Sequence, residues 1–134
     1  MRMRMDQRPW VCGAVLGLAM CVAGCATQPP LHVTAGEVKQ PVALEKGQDL
    51  YVSLKSNRST GYSWQWAEKP DARVTLLGDP AYEQSTDMPG AGGVETFHFR
   101  AKSVGTQQLR FLYRRPWEKG EHPIDVQVVP IIVQ

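Results

Sequence analysis

Residue types able to do chemistry are few in this sequence, and they are scattered. The histidines are His32, His98 and His122, and the cysteines are Cys12, Cys21 and Cys25. No spacing among them suits a metal site, which needs clustered Cys, His or carboxylate ligands. His98 falls within an alternating run, FHF, and reads as a strand residue on the solvent side. A Ser–His–Asp triad drawn from Ser59, Ser63, His98 and an aspartate stays open on sequence alone, since triads are recognised by geometry. No nucleophile-elbow motif supports one. The run GAGG, residues 90–93, is not a phosphate loop: no Gly-Lys-Ser/Thr follows and no helix pattern begins there. These residues call for no cofactor and no metal.

Cys25 offers a different chemistry. Arg2, Arg4 and Arg8 precede a mostly apolar run, VCGAVLGLAMCVAG. That order describes a secretory signal, and the run falls short of the ~20 residues that span a bilayer. Val22-Ala23-Gly24-Cys25 resembles a bacterial lipobox. The alternative is an ordinary signal peptide with a chance cysteine, or a cut after Ala26. The resemblance implies a signal peptide over residues 1–24 and a lipidated Cys25 as first mature residue, with several acyl chains for durable anchoring. Ala26 after it points to a cell-envelope protein sorted to the outer membrane. Cys12 and Cys21 leave with the signal, so the mature domain has no thiol for a disulfide or a nucleophile. The chain carries 15 basic and 13 acidic residues, a net charge of +2. Loss of Arg2, Arg4, Arg8 and Asp6 with the signal brings it to zero. A neutral domain is not expected to bind nucleic acid, which requires phosphate neutralisation.

The elements that must position any site are strands. Residues 25–36, with Pro29-Pro30, read as a lipidated N-terminus and an extended tether, and residues 37–134 as the domain. Apolar residues then alternate: Leu50, Val52, Leu54; Tyr62, Trp64, Trp66; Val74, Leu76; Phe97, Phe99; Leu109, Phe111, Tyr113; Val126, Val128. Period two means strands with one buried face. Gly47, Gly61, Gly78, Gly105 and Gly120 punctuate the runs. Many short strands with regular turn signals predict an all-β sandwich. Trp64, Trp66, Phe97, Phe99 and Phe111 are its expected core. Pro130 places the last strand at an edge or in a bulge.

Three connections stand out: SNRSTGYSW (56–64), EQSTDMPGAGGVETF (83–97) and the RRPWE stretch (114–118). Singly, each reads equally well as a turn, a flexible link, and a tryptophan that plugs the end of the sandwich. Together and in this order they resemble the three-loop signature of the chagasin family, inhibitors of papain-like cysteine peptidases. The resemblance runs from about residue 37 to the C-terminus. It implies an immunoglobulin-like antiparallel β-sandwich, monomeric, whose three loops enter a peptidase's active-site cleft. Carried over, Asn57, Arg58, Ser59, Thr60, Gly61 and Tyr62 form the first loop, with Thr60 beside the catalytic cysteine. Gly90, Ala91, Gly92 and Gly93 form the glycine-rich loop. Arg115, Pro116 and Trp117 form the third, with Trp117 on aromatic surface beside the cleft. Trp and Arg are common anchors of tight interfaces. The sequence departs from the family pattern at Arg58, where proline is usual, and mildly at Ser59, where threonine is usual. Loss of proline is expected to loosen the loop, and Arg58 to add a charge at the cleft rim. A rival from another class is an envelope module that binds a protein or glycan without inhibiting a peptidase; an enzyme is the third.

Overall fold

The computed structural model describes residues 27–120 and 122–134, so the expected signal peptide and Cys25 lie outside the described residues. The described strands are β1 (Leu31–Thr34), β2 (Val42–Leu44), β3 (Asp49–Ser56), β4 (Ser63–Trp66), β5 (Val74–Leu76), β6 (Ala81–Gln84), β7 (Gly93–Ala101), β8 (Gly105–Arg114) and β9 (Asp125–Val133). They form two sheets. One runs β1-β3-β7-β5, with β6 also pairing β7; the other runs β2-β9-β8-β4. Pairing is antiparallel except at two edges, where β1 runs parallel to β3 and β2 parallel to β9. This is the expected immunoglobulin-like β-sandwich.

The core forms because alternate residues of each strand face the opposite sheet. Leu50, Val52 and Leu54 of β3 meet Phe97 and Phe99 of β7 on one side, and Leu109, Phe111, Val129, Ile131 and Val133 on the other. The ring centroids of Phe97 and Phe111 lie 5.0 Å apart, and Trp66 meets Phe99 edge-on at 5.0 Å. Such aromatic pairs add ~0.5–1.5 kcal/mol each beyond area burial.

Two expectations need correction. Residues 31–36 belong to the domain and not to a tether. Leu31 and Val33 pack against the core, Ala35 is buried, and Ala35–Glu37 makes a 3₁₀ turn. An apolar alternation only one residue long on either side of His32 was too short to outweigh the preceding prolines. The last strand has the opposite phase from that expected. Its inward residues are Val129, Ile131 and Val133, while Val128 is exposed. Register with β8 decides this: Leu109 lies opposite Val129 and Phe111 opposite Gln127. Pro130 sits just before β2 begins to pair with β9, on an open edge, and the β8 register passes through it without a bulge.

Candidate functional site

Strand pairing gathers the three connections at one end of the sandwich. Ser56 at the end of β3 pairs with Gly93 at the start of β7, which brings loop 1 (57–62) beside loop 2 (85–92). Ser63 at the start of β4 pairs with Arg114 at the end of β8, which brings loop 1 beside loop 3 (115–124). Loop 1 is therefore central. An open groove of about 460 Å³ lies between loops 1 and 2.

Asn57 shapes loop 1. Its backbone is extended, and its side-chain oxygen accepts the Ser59 amide at 3.2 Å, capping a 3₁₀ turn over Arg58–Thr60. Asparagine suits this place because its side chain closes a local turn. Asn57 N–H donates to the Tyr113 hydroxyl at 2.9 Å, and Asn57 Nδ2 donates to Gly90 O in loop 2 at 3.3 Å. Thr60 Oγ1 donates to Asn57 O at 2.6 Å. Ser59 and Thr60 are exposed at the apex. Gly61 ends the turn at φ +82°, a conformation that favours glycine. Asn57 thus spends its polar groups on building the loop, leaving Ser59 and Thr60 to face outward.

Arg58 is not a loose charge: its side chain stays 44% exposed, but its guanidinium is paired. Its Nε donates to Glu95 Oε1 at 2.7 Å, and its guanidinium carbon lies 4.7 Å from the centre of the Tyr82 ring. The loop that lacks proline is held by an ion pair instead.

The glycine-rich connection is shorter than expected, since β6 and β7 extend into it. Gly90, at φ +75°, Ala91 and Gly92 are in loop 2. Gly93 is not: it is buried in β7, where a Cβ would strike the Glu83 carbonyl and the Tyr82 ring. Its glycine identity serves sheet packing. Met88, 70% exposed at the turn of loop 2, was not singled out from the sequence. A lone methionine beside Pro89 carries no local signal; only its exposure next to loop 1 marks it.

Loop 3 is fastened to loop 1. Arg115 Nε donates to Thr60 O at 3.3 Å, its guanidinium sits 4.5 Å from the centre of the Tyr62 ring, and Nη1 pairs with Glu118 at 3.1 Å. Pro116 is exposed. Trp117 is 66% exposed and does not plug the sandwich. The core position belongs to Trp64, whose indole stacks on Tyr113 and donates to Lys55 O.

The triad does not assemble. His98 lies on the outer face of β7, stacked on Tyr51, with Nε2 3.1 Å from Asp49. Ser59 is in loop 1, bonded to Asn57, and Ser63 begins β4 in the other sheet.

Comparison with known proteins agrees with this geometry. A model of the chagasin family of peptidase inhibitors matches residues 43–131. Chagasin of Trypanosoma cruzi is 30% identical over 80 residues, covering 57% of this chain and 73% of that protein. Amoebiasin-2 of Entamoeba histolytica is 29% identical over 87 residues, covering 63% of this chain and 70% of that protein. Among solved structures, a cysteine protease inhibitor from Entamoeba histolytica superposes with a TM-score of 0.65 at 22% identity, over 79% of this chain and 96% of its own. The structure of PbICP-C in complex with falcipain-2 matches at 0.53 and 14% identity, over 78% and 99% of the two chains. The family match spans β2 to β9 and all three loops, and the chain belongs to the chagasin family of peptidase inhibitors.

Proposed function

We propose that this protein is a reversible, tight-binding inhibitor of papain-like cysteine peptidases, monomeric and without a catalytic step of its own. Loop 1 enters the active-site cleft, flanked by loops 2 and 3. One observation carries this reading: Trp117 is two-thirds exposed and lies against Gly61 of loop 1. An exposed indole that already rests on the neighbouring loop has less freedom to lose on binding than one free in solvent, which favours affinity. Thr60 and Gly61 form a slim apex able to approach the floor of a narrow cleft. Among structural relatives, PbICP-C is seen in complex with falcipain-2. Interfaces of protease inhibitors bury ~1,600 Å² and include some of the tightest known. Titration of papain with the protein tests the reading. Saturable inhibition that weakens in Thr60→Trp and Trp117→Ala is expected; an unaffected papain and an unaffected cathepsin L-type peptidase would refute it.

The reading extends to the cell envelope. β1 runs parallel to β3, so Leu31 lies beside Leu50, at the end of the sandwich away from loop 1. A chain anchored through lipidated Cys25 would therefore present its loops away from the membrane. Residues 27–30, outside any helix or strand, precede β1 and would link the domain to that anchor. Cys25→Ala should release the protein from membranes; full retention would refute the anchor.

A further inference from the structure

Glu95 is a carboxylate with 1% exposure on the inner face of β7. A charge placed there is costly unless it is paired and hydrogen-bonded. Both of its oxygens are engaged, one by loop 1 and one by the strand that follows it. Oε1 accepts Arg58 Nε at 2.7 Å, at the start of the loop. Oε2 accepts the Trp64 amide at 2.7 Å, just after the loop ends in β4. One carboxylate therefore clamps the two arms of the turn that carries Thr60 and Gly61. It also ties β7 of one sheet to β4 of the other.

The arginine has a second attachment. Its guanidinium lies over Tyr82, which is the cross-strand partner of Glu95 on β6. The β6–β7 hairpin carries loop 2. The buried Gly93 leaves room for the Tyr82 ring, because any Cβ there would meet it. Arg58 is thus seated between loop 1 and the base of loop 2, and Asn57 Nδ2 to Gly90 O makes a second bond between the same loops.

From this arrangement we propose that Arg58 and Glu95 are positioning residues for peptidase binding: their ion pair fixes the shape of loop 1 and locks it to loop 2. The proposal rests on the inhibitory reading above. Arg58 is the first residue of the 3₁₀ turn, after an extended Asn57. That is a place where proline fits well, since its fixed φ matches and its missing N–H is not needed. The chain holds by charge a geometry that proline would hold by covalent restriction. The guanidinium reaches Glu95 and Tyr82 while the side chain keeps 44% exposure, and the role proposed for Arg58 is through loop shape.

Amide hydrogen exchange in the full-length protein, paired with papain inhibition constants, tests this. The variants are Glu95→Gln, Arg58→Met, the two combined, and Arg58→Pro with Glu95→Gln. In Glu95→Gln, the Thr60 and Gly61 amides should exchange roughly tenfold faster or more relative to Leu109 and Phe111 of β8, because local opening is separate from global unfolding. The Arg58→Met and Glu95→Gln losses of inhibition should not add, since both break one interaction. Arg58→Pro in the Glu95→Gln background should restore slow exchange and most of the inhibition. Unchanged loop exchange, or fully additive losses as expected for an arginine that touches the peptidase, would overturn the proposal. If Glu95→Gln does not accumulate as folded protein, Arg58→Met alone gives the exchange comparison. A wild-type protein that leaves papain untouched would defeat the inhibitory reading, while loop exchange would still decide whether the pair holds the loop.

Discussion

Trp117 lies against Gly61 so closely that a Cβ on the glycine would stand 2.5 Å from the indole Cη2. Gly61 belongs to loop 1 and Trp117 to loop 3. The contact joins with the Arg115–Thr60 bond to make one edge of the two loops. Gly61 therefore has two reasons to be glycine: its φ of +82° and the ring upon it.

Gly61→Ala should act on both. An alanine in the left-handed region costs about 1–2 kcal/mol, and the methyl group must push the indole aside. Because most of Trp117 is exposed, the ring can swing away without disturbing the core. The expected result is a modest fall in thermal stability, on the order of 1–2 kcal/mol, with a disproportionate loss of papain inhibition. Calorimetry and inhibition titration on one sample check this. Inhibition that falls no more than stability would mean that the seat of Trp117 on Gly61 is immaterial to binding.

Trp117→Ala and Trp64→Ala should separate anchoring from folding. Trp117 is 66% exposed, so its removal should change stability by less than ~0.5 kcal/mol. Its loss from a protein interface should cost ~2 kcal/mol or more, about thirtyfold in affinity. Trp64 is only 6% exposed, and its truncation should cost ~3–5 kcal/mol of stability. Denaturant midpoints and inhibition constants of the two variants should rank in opposite orders.

The contrast between these tryptophans also shows what the sequence could reveal. Alternation around Leu50–Leu54, Phe97–Phe99 and Leu109–Phe111 marks the inner faces directly, because side-chain period is fixed by the strand. The order of three loop motifs was legible for the same local reason. Partnerships across the chain were not. The partner of Arg58 was not legible because Glu95 lies 37 residues on, in β7, and only the β3–β7 register brings the strand beside loop 1. β9 has apolar residues on both faces over its second half, so periodicity alone did not set its phase; the pairing with β8 did. Trp117 alone could be a plug or an anchor; its place in the three-loop pattern marked it as an anchor, and the structure leaves it exposed while Trp64 fills the core beside Tyr113.

Loop 2 allows a test of two glycines that look alike in the sequence. Gly90 has φ +75° with open space around its Cα, whereas Gly93 is packed in β7 under Tyr82. Gly90→Ala should cost only backbone strain, about 1–2 kcal/mol. Gly93→Ala must move both the Glu83 backbone and the Tyr82 ring, and so should disrupt the β6–β7 hairpin. Proteolysis or amide exchange across residues 81–96 should rise sharply in Gly93→Ala and little in Gly90→Ala. Equal protection in the two variants would contradict the assignment of Gly93 to sheet packing.

Acid should weaken the outer face of the β3–β7 sheet through Asp49. Arg100 grips its carboxylate with bonds of 2.7 and 3.1 Å, and His98 adds a contact at 3.1 Å. The Arg100 hydrogen bonds, opposed in part by desolvation and helped by His98, hold the Asp49 pKa below its ordinary 3.8. A carboxylate with a lowered folded-state pKa takes up protons more readily when unfolded. Its contribution is therefore complete above pH 3.8 and disappears as pH falls through the lower folded-state value. Asp49→Asn removes that contribution at every pH. Wild type should be the more stable protein near about pH 5, and the gap to Asp49→Asn should close as the pH is lowered to about 2. Urea midpoints of the pair across that range read the effect. A gap that stays constant would mean that the carboxylate's charge is not what joins β3 to β7 at this point.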